Sequence, residues 1–193
     1  MTDPSRPTKN RRPRPPAPAR DLIDRAAMIR VDHAGEHGAV RIYEGQLAVF
    51  SALPHKARIA SSLRRMRADE QAHLDAFDAL VRADEAAPTL IMPLWTVMGR
   101  SLGAATALMG EKAAHACTAA VETVIDQHYQ EQIDRLPTED ASLRPMIEKF
   151  QAEEVAHKNE AIAEGAAAAP FYPLLSGVIK AGCRLAIGIS KRI

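Results

Sequence analysis

The pattern that most constrains this chain is written twice: Glu70-Gln-Ala-His73 and, further on, Glu154-Val-Ala-His157. A Glu and a His three positions apart share one face of a helix. In the first copy that face also carries Leu63, Met66, Phe77 and Leu80, and in the second Ile147, Phe150 and Ala161. A carboxylate turned into an apolar core costs several kcal/mol unless a charge or a metal compensates it. Two copies in one helical chain therefore predict a dinuclear metal site inside a helix bundle.

The spacing of other residues extends the prediction. The midpoint between Glu36 and Glu70 falls at Leu53-Pro54, and that between Glu122 and Glu154 at Pro137-Thr138. Proline breaks a helix, so each half reads as an antiparallel hairpin that sets one Glu level with one Glu-x-x-His. The expected ligands are Glu36, Glu70, His73, Glu122, Glu154 and His157. One Glu from each of two helices, with Glu-x-x-His from the other two, is the ligand pattern of ferritin-like carboxylate bundles. Carboxylates and imidazoles suit iron or manganese, and the lack of thiolates disfavours structural zinc or an iron–sulfur cluster.

The fold class expected is all-α: a ferritin-like four-helix bundle with a long apolar crossover and a C-terminal amphipathic helix. Residues 1–20 are rich in Pro and Arg and read as a solvated, disordered tail. The bundle is expected over 21–169. Its helices run from Asp21 to Leu53, from Pro54 to Ala83, from Glu111 to Leu136 and from Glu139 to Ala166. The inward stripe of the first reads Leu22, Ile29, Glu36, Val40, Tyr43, Leu47, Phe50. Residues 85–110, with the apolar run Leu90 to Trp95, form the crossover. Residues 170–193 form a helix with Lys180, Arg184 and Lys191 on one stripe and Leu175, Val178, Leu185 and Ile189 opposite. Such a basic amphipathic helix lies at a membrane interface.

Composition excludes some functions. With a net charge of +1 and 4% aromatics the chain has neither the field nor the stacking surface of a nucleic-acid binder. Cys117 and Cys183 match no zinc or redox spacing and read as reduced thiols. Around the site, His33 stands one turn before Glu36, and Tyr43 and Tyr129 stand two turns beyond Glu36 and Glu122. Asp126, one turn after Glu122, is placed to orient a ligand histidine. His128 is its neighbour.

Several of these residues fall in motifs that carry a resemblance. Arg30-Val-Asp-His-Ala-Gly-Glu36, Arg41-Ile-Tyr43, Ala116-Cys-Thr118, His128-Tyr129 and Ala181-Gly-Cys-Arg184 occur in an order and with gaps that resemble the demethoxyubiquinone hydroxylase family. The resemblance runs from about residue 22 to the C-terminus. It implies a di-iron monooxygenase with two iron ions per chain, held by the six residues above. The implied reaction hydroxylates the ring of a polyprenyl demethoxyubiquinol with O2 in ubiquinone biosynthesis, two irons each supplying an electron. The implied partners are that quinol, a membrane surface and a lipid-binding accessory protein of the pathway. The implied location is peripheral, on the cytoplasmic face of the cell membrane in a bacterium or the matrix side of the mitochondrial inner membrane in a eukaryote. The chain departs from the family at His37, where Tyr is common. An iron-oxidising protein of ferritin or rubrerythrin type would use the same six ligands and is the alternative.

Overall fold

The computed structural model describes residues 24–83 and 85–193; the tail, Asp21 and Leu22 lie outside them. Six α-helices and two short 3-10 turns make up the regular structure among the described residues. α1 spans Arg25–Phe50, α2 Ala57–Arg82, α3 Met92–Leu108, α4 Glu111–Arg135, α5 Leu143–Ala163 and α6 Tyr172–Ser190.

Local chemistry sets the helix ends. The Asp24 carboxylate caps α1 by accepting from the Ala27 N–H at 2.9 Å. Leu53 is extended before Pro54, so α1 stops at Phe50 and the chain reverses through the turn Pro54–Lys56. At the second reversal Asp140 accepts from the N–H of Leu143 at 2.9 Å, and α5 starts there rather than at Glu139. Arg25 fastens this end of the bundle through its bonds to Asp140 and Glu85.

α1 pairs with α2, and α4 with α5, so the two sequence halves are two hairpins. One end of the shared core is built from Ile29, Phe77, Ile133, Leu143, Ile147 and Phe150. The other is built from Tyr43, Phe50, Ile59, Leu63 and Met66. Ile29, Glu36, Val40, Tyr43 and Phe50 of the α1 stripe are buried, and Leu47 is half-buried.

The crossover is not an extended linker. It carries α3, which lies along the outside of α1 so closely that side chains are excluded from the contact. A Cβ on Gly103 would sit 2.0 Å from the Ile42 carbonyl oxygen, and one on Gly45 2.2 Å from that of Arg100. Gly103→Ala should therefore push α3 off α1, costing about 1–3 kcal/mol. A thermal melt followed by circular dichroism should fall by several degrees; an unchanged melt would mean the helices separate freely.

α6 packs on α4 and, less extensively, on α1. Here the two-stripe expectation needs correction, because the helix has three faces. Ser176, Ile179 and Ser190 are buried, and Leu175 and Ile189 are half-buried rather than free. The exposed apolar face is Leu174, Val178 and Leu185, with Phe171 just before the helix. The basic residues Lys180, Arg184 and Lys191 lie between the buried and the exposed faces. A helix that must cover a bundle on one side has less of its circumference left for other contacts. Both cysteines are free; burial pushes Cys117 up to about 12, which makes it an inert core residue.

Candidate metal centre

The Glu and His side chains of the two hairpins meet between the two core clusters. Glu36 comes from α1, Glu70 and His73 from α2, Glu122 from α4, and Glu154 and His157 from α5, and all six are buried. Two overlapping sets result. Glu36, Glu70, His73 and Glu154 offer ligand atoms within 4.8 Å of one another, and so do Glu70, Glu122, Glu154 and His157. Glu70 and Glu154 belong to both sets.

Both histidines turn Nδ1 inward. His73 Nδ1 lies 3.0 Å from Glu154 Oε1, and His157 Nδ1 lies 3.1 Å from Glu70 Oε1. The outward nitrogens are held by acids of the opposite motif. Glu153 Oε2 is 2.8 Å from His73 Nε2, and Asp69 Oδ2 is 3.2 Å from His157 Nε2. Each acid precedes the Glu of one motif and reaches the His of the other. Phe150 stacks on the His73 ring with centroids 4.0 Å apart.

The tyrosines cross between halves in the same way. Tyr43 of the first hairpin donates to Glu122 Oε1 of the second at 3.0 Å, and Tyr129 of the second donates to Glu36 Oε1. Burial, then the neighbouring Glu122 or Glu36, raises both phenols well above their ordinary value, so they remain donors.

The electrostatics describe a cluster with too many carboxylates for its own cations. Burial raises Glu36 and Glu122 well above the carboxylate range, with Glu154 and Glu70 adding repulsion. Burial also acts against an ionised Glu70, but the adjacent His157 and His73 outweigh it and bring Glu70 down to about 2. Burial lowers His157, and the adjacent Glu154 and Glu70 carboxylates more than reverse this, raising it to about 11. His73 is raised by Glu154, Glu36 and Glu70 against the same burial. Glu36 Oε2, Glu70 Oε2, Glu122 Oε2, both oxygens of Glu154 and His73 Nδ1 are buried without a hydrogen-bond partner. Stranded oxygens of this number are the donors that a bound cation would satisfy. Four carboxylates and two imidazoles in two overlapping sets fit two divalent ions, so the cluster can bind metal.

Not every polar residue singled out in the sequence reaches this cluster. His33 pairs with Asp78 at 2.8 Å. Asp126 does not orient a histidine: it pairs with Lys158 at 2.6 Å and accepts from Gln151. Its place one turn along α4 turns it toward α5's flank rather than the centre. The orienting acids are Asp69 and Glu153, which the sequence reading missed, although an acid stands immediately before the Glu of both motifs. Removing either by Asp69→Ala or Glu153→Ala should weaken divalent-metal binding roughly ten- to hundredfold. Titration against a competing chelator measures this, and unchanged affinity would deny these acids the role.

His128 and Tyr129 line a cavity of about 320 Å³ between α1, α3, α4 and α6. Its walls are apolar except near the centre, where Asp32, Glu36, His128 and Tyr129 contribute. Met98 and Val178, both largely exposed, stand at its rim. Trp95 donates from Nε1 to Ser190 Oγ at 3.2 Å, joining α3 to α6. The cluster thus has an apolar approach between α3 and α6, while on the α2–α5 side its histidines reach the partly exposed acids Glu153 and Asp69.

Comparison with known proteins adds to this geometry. The family model of ubiquinone biosynthesis protein COQ7 matches residues 24–190. A Rhodospirillum rubrum protein called 3-demethoxyubiquinol 3-hydroxylase is 52% identical over 185 residues, covering 96% of this chain and 84% of the relative. A human protein called NADPH-dependent 3-demethoxyubiquinone 3-hydroxylase, mitochondrial, is 44% identical over 180 residues, covering 90% of this chain and 81% of its own length. A Saccharomyces cerevisiae protein called 5-demethoxyubiquinone hydroxylase, mitochondrial, is 36% identical over 188 residues, covering 89% and 78%.

Proposed function

The chain belongs to the ubiquinone biosynthesis protein COQ7 family, and from that premise we propose that it is a 3-demethoxyubiquinol 3-hydroxylase that uses two iron ions and O2. The observation that carries the reading is the meeting of two features: the buried Glu/His cluster forms part of the wall of an apolar cavity, through Glu36. An iron-oxidising protein of ferritin or rubrerythrin type needs the cluster but has no use for the cavity.

Glu36, Glu70, His73, Glu122, Glu154 and His157 would hold the two irons, and Glu70 and Glu154 belong to both ligand sets. Bound there, iron would supply the electrons and oxidising power with which O2 hydroxylates an aromatic ring. The chain's own residues do the rest. Asp69 and Glu153 hold the outward histidine nitrogens, which fixes the ring that faces each metal. Tyr43 and Tyr129 donate to Glu122 and Glu36 and limit how far these carboxylates swing. Buried Phe77, Phe150 and Leu63 pack on either side of the cluster along the bundle. The cavity takes the quinol ring and brings it beside Glu36 and Tyr129, while an isoprenoid chain leaves between α3 and α6.

The way into that cavity suggests where the protein works. Leu94, Val97, Met98 and Leu108 on α3 and Leu174, Val178 and Leu185 on α6 are exposed on either side of the rim. Lys180, Arg184 and Lys191 flank them. By length and composition α6 is apolar enough to cross a bilayer, but its buried Ile179 and Ser190 tie it to the bundle. The reading adopted is a protein that lies on the membrane by this face, taking its substrate directly from the lipid. That is the bacterial inner-leaflet or mitochondrial inner-membrane location implied above; the human and yeast relatives are labelled mitochondrial.

Quinone profiling of cells that lack the protein tests the function. Accumulation of a demethoxy precursor, cleared by the wild-type chain and not by Glu70→Ala, is the expected result. A normal ubiquinone profile in the deletion, with iron oxidation by the purified protein, would favour the ferritin-type alternative.

A further inference from the structure

Two routes lead from the surface to the buried Glu/His cluster, and they differ in chemistry. The cavity between α3 and α6 is walled mainly by apolar side chains and has Met98 and Val178 at its rim. A divalent ion entering there would shed its water with few oxygens to replace it, which is prohibitive. The other route lies between α2 and α5. Asp69 and Glu153 stand there with 44% and 41% of their side chains exposed. Each touches the histidine behind it: Asp69 Oδ2 is 3.2 Å from His157 Nε2, and Glu153 Oε2 is 2.8 Å from His73 Nε2.

The sequence writes this arrangement twice, as Asp69-Glu-Gln-Ala-His73 and Glu153-Glu-Val-Ala-His157. Ala72 and Ala156, just before each histidine, are exposed and leave only a methyl group over the helix there. On the inner side, His157 Nδ1 lies 3.1 Å from Glu70 Oε1 and His73 Nδ1 lies 3.0 Å from Glu154 Oε1. Each imidazole therefore bridges a surface carboxylate and a buried one. Behind the rings Glu70 Oε2 and both oxygens of Glu154 are buried without a hydrogen-bond partner. The two gates are not equally tied. Lys149 holds Glu153 from outside at 3.3 Å, and Phe150 stacks on His73. Asp69 pairs with no lysine or arginine among the described residues, so it is the freer acid.

We propose that Asp69 and Glu153 form the port through which divalent ions enter the cluster from water, with Asp69 the more open gate. Each acid serves twice. In the empty protein it holds its histidine ring by Nε2. An arriving ion competes for the same carboxylate, which frees the ring to turn aside. The ion then passes to the stranded oxygens of Glu70 and Glu154, and the acid takes Nε2 back. Exposed carboxylates at a cleft also raise the local cation concentration and with it the entry rate. This rests on the metal-holding part of the proposed function and gives the ions a path separate from the apolar one assigned to the quinol.

Stopped-flow mixing of the metal-free full chain with Co2+ tests the port without turnover. Visible absorption of the bound ion follows entry, and transfer to excess chelator follows release. Asp69→Asn combined with Glu153→Gln removes both charges but keeps an oxygen that accepts from each Nε2–H. A port acts on both directions of passage, so entry and release should each slow about tenfold or more while Kd moves by less than about threefold. Asp69→Asn alone should slow both severalfold, and it decides the matter if the double variant does not fold. Acids that only orient the histidines would give faster release and a weaker Kd with entry unchanged, which overturns the proposal. Val178→Trp narrows the rim of the apolar cavity and should load at the wild-type rate. Slow loading of Val178→Trp with normal loading of the acid variants would put entry through the cavity, and also overturns the port. Wild type that takes up no Co2+ at all overturns the metal-holding reading and the port together, whereas the other two results leave that reading standing.

Discussion

Glu154→Ala and Glu70→Ala should each remove both metal ions, whereas Glu36→Ala and Glu122→Ala should each remove one. The difference follows from the overlap of the two ligand sets: Glu70 and Glu154 serve both, Glu36 and Glu122 one each. Glu36→Ala and Glu122→Ala should leave the fold intact, because each deletes a carboxyl that burial and neighbouring carboxylates hold well above its ordinary range. Turnover should fall to background in the first pair. Metal analysis after dialysis, beside a circular dichroism melt, separates loss of metal from loss of fold. Two ions per chain retained by Glu154→Ala at wild-type affinity would sink the shared-ligand assignment. The same experiment has a pH dependence of known sign. His157, up at about 11, and His73, also raised, are protonated in the metal-free protein at neutral pH. A metal must displace those protons, so apparent affinity should fall as pH is lowered, and calorimetry in buffers of different ionisation enthalpy should detect proton release at pH 7.

The second large effect concerns the exposed face. Changing Lys180, Arg184 and Lys191 together to Glu should release most of the protein from anionic vesicles, since each basic residue near such a surface contributes about 1 kcal/mol. Neutral vesicles should not distinguish this variant from wild type. Val97→Ser, Leu174→Ser and Leu185→Ser together should weaken binding to both kinds of vesicle, because apolar burial is not screened by salt. None of these six residues lines the cavity, so turnover of a soluble short-chain quinol should persist in both variants while turnover of membrane-embedded quinol falls. Vesicle binding unchanged in both variants would mean that the face between α3 and α6 meets something other than lipid.

Much of the centre was legible in the linear chain because its spacing rules are local. Three positions in a helix bring Glu70 beside His73 whatever surrounds them, and Pro54 ends α1 by its own ring and its effect on Leu53. The level of Glu36 with Glu70 then follows from the equal lengths on either side of that turn. α3 was harder to read. Pro88, Pro93, Gly99 and Gly103 look like helix breakers in a string of letters. In the fold Pro93 sits in the first turn of α3, where its missing N–H costs nothing. The two glycines are what allow α3 to touch the α1 backbone.

What the sequence by itself determined was the all-α class, the two hairpins and the face on which each buried Glu and His would lie. Tertiary structure decided which side chains meet across helices. Asp69 holds the histidine of the other motif, Tyr43 and Tyr129 exchange hairpins to reach Glu122 and Glu36, and Asp126, in register with Glu122, turns away to Lys158. The physical reason is that contacts along one helix depend only on its fixed pitch, whereas contacts between helices depend on the rotation and offset of each, which the packing of the whole core sets.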